Sequence, residues 1–178
     1  MPSHTAYPGT VAQTSNFVDA WVNPTRVTTS DDSLATCVLS GGESEVLKVT
    51  NFGFSLPPIA VVSGISVEID RHKVAGTTVT DAALVLTKSN TDTTGSDKAS
   101  IAPWPTSAAI AYYGGSSDLW GTTWTPSEIN ASTFGLWFHV FGTATNETAA
   151  VDFIRVTVFY RLIKPLNGGH FKGGRHLW

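Results

Sequence analysis

Five histidines, one cysteine and a scatter of serines and carboxylates are the residues of this 178-residue chain that could do chemistry. His4, His72, His139, His170 and His176 form no His-Glu-x-x-His pair and no close metal-ligand spacing. His139 sits inside the aromatic run FGLWFHVFG and reads as a packing residue. Cys37 is alone, which excludes an internal disulfide and a multi-cysteine zinc site. Thr36 and Val38 bracket it in a strand pattern, so a buried, inert thiol is expected. A nucleophilic serine needs a partner base and an oriented turn, and no G-x-S-x-G occurs. Glu68, Asp70 and Asp152 look like polar strand faces rather than two acids converging on a glycosidic bond. Asp31 and Asp32, in TTSDDS, could offer oxygens to calcium, but without EF-hand spacing they read as a capping turn. YGGSSDLWG has no lysine where a phosphate loop needs one. No catalytic activity, cofactor or metal is expected.

Binding chemistry is better represented. Trp104 lies between Pro103 and Pro105 and is the tryptophan expected to be exposed. With Tyr112 and Tyr113 it could line a surface that stacks on sugars, while Trp21, Trp120, Trp124 and Trp137 are expected to fill a core. Residues 161–178, RLIKPLNGGHFKGGRHLW, carry Arg161, Lys164, Lys172 and Arg175 and no acid, a charge of +4. The remaining 160 residues hold 7 basic and 14 acidic side chains, net −7, which together give the whole-chain −3. Gly168-Gly169 and Gly173-Gly174 make the segment too flexible for regular structure alone, yet it bears Leu166, Phe171, Leu177 and Trp178. Extended at about 3.3 Å per residue it would reach roughly 55 Å, enough to cross onto another protein. It reads as a basic arm in which Phe171, Leu177 and Trp178 anchor, and Lys164, Lys172 and Arg175 match an acidic surface.

These residues hang on strands. In 149–162, Ile154, Val156, Val158 and Tyr160 share one face. In 134–142 both faces are apolar, which predicts a strand covered on both sides. Further strands are predicted at 35–40, 44–54, 63–74 and 81–88, with shorter ones at 16–21 and 119–124. Phe159 and Trp137 are apolar residues on otherwise polar or mixed faces and are candidates for a contact between copies. Thr125-Pro126-Ser127-Glu128 carries a capping-box spacing and predicts one short helical turn near 126–131. Residues 88–100 read as a long, mobile loop. About eight antiparallel strands with almost no helix predict an all-β jelly-roll sandwich over 16–160, with an N-terminal extension at 1–15 and the arm at 161–178. Charged residues are 14% of the chain against a usual share of about 25%, and 42% are hydrophobic, so disorder of the whole is not expected. The acidic balance argues against nucleic acid as a partner. No apolar run approaches the roughly 18 residues of a membrane span, and MPSHTAYPGT lacks the features of a signal peptide.

An ordered set of strings carries a family resemblance: Trp21-Val22-Asn23-Pro24, then SDDSLATC (30–37), NFGFSLP (51–57), GISVEID (64–70), YGGSSDLWG (113–121), TPSEINASTFGL (125–136) and VDFIRVTVFY (151–160). Together they resemble a β-sandwich domain of tailed-phage virion structural proteins, of the capsid cement, decoration or head-fibre type. The resemblance covers about residues 16–160 and leaves the arm outside. It implies a jelly-roll fold, no catalysis, frequent homotrimers, the major capsid protein as partner and a place on the virion surface after synthesis in the host cytoplasm. A head or tail fibre module binding host glycans, or a tail or baseplate adaptor, are the alternatives it leaves open.

Overall fold

The computed structural model describes residues 1–89 and 91–163. Ten strands build it: β1 Ser3–Ala6, β2 Thr10–Gln13, β3 Trp21–Val22, β4 Ala35–Ser40, β5 Leu47–Thr50, β6 Ala60–Ala75, β7 Val79–Thr87, β8 Ala109–Gly115, β9 Gly135–Gly142 and β10 Thr145–Leu162. One sheet runs β3-β4-β10-β6-β8, with β1 pairing β10 beyond β4. The other runs β2-β5-β9-β7. From β4 onward successive strands alternate between the two sheets, and every pairing between these strands is antiparallel. Residues 94–100 bond along the free edge of β7 through Thr94 N–H to Leu86 O (2.7 Å) and Lys98 N–H to Leu84 O (2.9 Å), taking the place of a fifth strand in that sheet. This connectivity is that of a jelly roll.

The two inner faces supply the core. Ile65, Val67 and Ile69 of β6, Leu84 and Leu86 of β7, Leu136, Phe138 and Val140 of β9, and Ile154, Val156 and Val158 of β10 are all fully buried. Period-two alternation puts each set on one side of its strand. In β10 the register shifts between Val151 and Ile154, so Asp152 and Phe153 form a bulge and both flanking residues still face inward. The outer face of β9 departs from expectation. Phe141 is exposed, and Trp137 and His139 are only screened, by Lys48 Nζ 3.8 Å above the indole and by Phe17 stacked on the imidazole.

Several expected elements are replaced. Of residues 16–21 only Trp21 lies in a strand, the two-residue β3, and Asp19 adds an isolated bridge. Residues 119–124 are a turn, because Trp120 and Gly121 both take positive φ (58° and 71°). The strand in that region is β8, where Gly114 (φ 69°) has no room for a side chain: a Cβ would lie 2.3 Å from Ile65 O and 2.6 Å from Trp120 Nε1. Residues 1–15 are not a loose extension, since β1 joins one sheet and β2 the other. The part of the predicted loop from 94 to 100 is folded against β7. The one α-helix among the described residues, α1 (Pro126–Asn130), has the predicted capping box, with Thr125 and Glu128 exchanging side-chain to backbone bonds across Pro126.

Candidate docking surface

Trp104 and Tyr113 are not on the surface; their exposures are 3% and 6%. Both reach one buried carboxylate. Asp81 accepts from Trp104 Nε1 and Tyr113 Oη, each at 2.8 Å, and from the Ser100 backbone N–H at 2.9 Å. Arg71 stands 3.5 Å from Asp81 and over the Trp104 ring at 4.6 Å. The prolines around Trp104 turn its indole inward to stack on Phe138, rather than out to solvent. Burial, and then the Asp81 charge, hold the Tyr113 phenol above its ordinary range, with Arg71 opposing. This cluster fixes segment 100–105 to both sheets, and no groove of three exposed aromatics forms. Only Tyr112 of that trio is exposed, at 69%, on the outer face of β8 beside Ile110.

The remaining candidates for chemistry are also structural. Cys37 is fully buried, and burial, then Asp19 and Glu45, push its thiol up to about 12. His139 lies 3.4 Å from Glu43, but burial holds its pKa below the ordinary value despite Glu43 and Asp97. Glu68 is paired with Arg155 at 2.5 Å. Asp152 is buried at the β10 bulge, where burial raises its pKa and Asp70, Asp32 and Asp31 add to the rise against the Asp31 N–H. Among the described residues no three His, Cys, Asp or Glu side chains are gathered to hold a metal ion.

Sequence reasoning missed the role of the buried acids. Glu45 accepts from the Thr14 hydroxyl and the Asn16 and Phe17 N–H groups, and Asp19 from the N–H and hydroxyl of Ser40. Glu147, fully buried, takes the N–H groups of Thr77, Thr78 and Ala144. Each collects backbone donors that loops leave unpaired. The only sequence signal is a lone acid inside an otherwise apolar or turn-rich stretch.

What the surface offers is an apolar end. Met1, Ile59, Leu162 and Ile163 are exposed by 76%, 50%, 51% and 53%. They are brought together by the β6–β10 pairing of Leu162 with Ala60, by Ile163 N–H to Ile59 O (3.3 Å), by Tyr160 N–H to Pro2 O (3.1 Å) and by Ser63 Oγ to Met1 Sδ (3.0 Å). The chain leaves the described body through this patch, at Arg161 to Ile163. Lys164, Phe171, Lys172, Arg175, Leu177 and Trp178 lie outside the described residues. Phe159, on the outer face beside Ser3, is half-buried.

Compared with known proteins, the chain matches no family model, and no curated protein is detectably similar to it.

Proposed function

We propose that the protein is a phage virion structural component, a capsid cement or decoration protein that binds the outer shell and bonds neighbouring capsid subunits. The observation that carries this reading is the apolar patch of Met1, Ile59, Leu162 and Ile163, sited where a basic, aromatic-bearing arm departs from an acidic body. Clustered exposed apolar residues favour burial against another protein. A jelly roll with a continuous core gives such a joint a stiff base. Joining a body contact to an arm contact makes the second event intramolecular, so avidity rises without one large interface. The major capsid protein is the intended partner and a homotrimer the intended assembly, both following the family resemblance. The glycan-binding fibre reading is weakened, because Trp104 and Tyr113 are interior.

Co-sedimentation with purified capsid shells tests the proposal. The full chain should pellet with shells, and a chain lacking 167–178 should be released. Shell binding undiminished by that deletion would remove the arm from the mechanism. A full chain that ignores shells and binds a glycan panel would overturn the proposal itself.

A further inference from the structure

Beside the apolar end, an open groove of about 800 Å3 lies between segment 56–58 and helix α1, with Leu56, Pro58, Pro126 and Ala131 among its walls. Its sides are fixed: Asn130 clamps the Leu56 backbone, accepting its N–H at 2.7 Å and donating to its carbonyl at 2.9 Å. Leu56 is 4% exposed and Pro58 adjoins Ile59, the residue bonded to Ile163.

We propose that this groove is occupied by the same chain just past Ile163, with Pro165 and Leu166 as the side chains that enter it. Three observations converge on this occupant. First, the departure point is adjacent, since Ile163 N–H is held on Ile59 O one residue from the groove rim. Leu166 is three residues further, about 10 Å at full extension, so the tether reaches the groove but not far beyond it. Second, both strands stop pairing here. Pro57 and Pro58 precede β6 and Pro165 follows β10, and proline has no N–H to extend the ladder. Third, the chemistry matches: exposed Ile59 directly follows Pro58 of the groove wall, and the exposed Leu162 and Ile163 lead from it toward the tether. A short tether gives Leu166 an effective concentration at the groove on the order of millimolar, which a second copy or a separate partner must exceed to displace it.

Occupancy of the groove by Leu166 is independent of any role on a capsid. It places Gly168-Gly169 as the joint at which the rest of the segment departs, with the preceding residues bound to the body.

A spin label on the full chain tests this. Asn167→Cys provides a labelling site that leaves Pro165 and Leu166 intact, and Cys37, fully buried, does not compete for the label. In dilute samples the amide signals of Ser127 and Ala131 should broaden, and adding Leu166→Asp should restore them without changing the rest of the spectrum. Broadening found only when labelled chain is mixed with unlabelled, isotope-enriched chain would assign the groove to a second copy and overturn the proposal. So would the absence of broadening at any concentration.

Discussion

Asp81 is the residue on which the second sheet's outer segment depends. It satisfies an indole, a phenol and a backbone N–H while facing a guanidinium, and its side chain has no exposure. Asp81→Ala would strand Arg71 as a buried, uncompensated charge, a loss of about 3–5 kcal/mol. Urea unfolding followed by tryptophan fluorescence measures it, and a loss under about 1 kcal/mol would refute the assignment. Asp152 predicts the opposite sign. Its folded pKa is raised, so its contribution to stability is full below the unfolded carboxylate value of about 3.9 and declines as pH rises through the folded value. Asp152→Asn keeps an acceptor for the Asp31 N–H, 3.4 Å away, and removes the charge. Its urea midpoint should exceed wild type at pH 7, with the difference gone near pH 3. Neither role was legible in the sequence. Trp104 between two prolines reads as an exposed loop residue, and its acceptor is 23 positions away, a distance that local pattern does not cross.

Among the elements, the hairpin from β9 into β10 rests on Glu147. Burial acts to raise its pKa, but the Thr78, Ala144, Thr77 and Thr143 donors outweigh it and hold the carboxyl below its ordinary range. Gly76 is pressed so close that a Cβ there would lie 2.4 Å from Glu147 Cγ, so the acid and the turn before β7 fit as one piece. Glu147→Gln should cost about 2 kcal/mol near neutral pH, because an amide nitrogen replaces one charged acceptor. A lowered folded pKa means the stabilisation is present above about pH 4.3 and is lost as pH falls through the folded value. The gap between wild type and variant should therefore close on acidification, and a pH-independent gap would contradict the ionised role. Strands with a buried face declare themselves by alternation, as β6, β9 and β10 did. β1 and β2, four residues each, take their conformation from the free edges of β10 and β5, and nothing in their own sequence demands it. β8 was hidden because Gly114 and Gly115 resemble a turn, while the Trp120 and Gly121 backbone makes the turn later.

At the scale of the molecule, stability and the proposed attachment belong to different parts of the chain. The core is closed by the facing sheets and by β1 and β2, all before residue 163. Jelly-roll class was readable because apolar alternation recurs on strand after strand, with turn residues between. The exposed apolar end was not, because Met1, Ile59 and Leu162 are distant in sequence and are brought to one end only by the β1–β10–β6 pairing. If the groove holds Leu166, the chain cut after that residue keeps every contact of the body. Its unfolding free energy should match the full chain to within about 0.5 kcal/mol, and its sedimentation should report the same oligomer. Shell retention alone should fall, and because the lost segment contributes Lys172 and Arg175, retention of the full chain should weaken as salt rises above the physiological range. A truncated chain that also loses its oligomeric state would instead put residues 167–178 in the assembly of the protein itself, and the strap would belong between copies of this chain rather than between this chain and the coat.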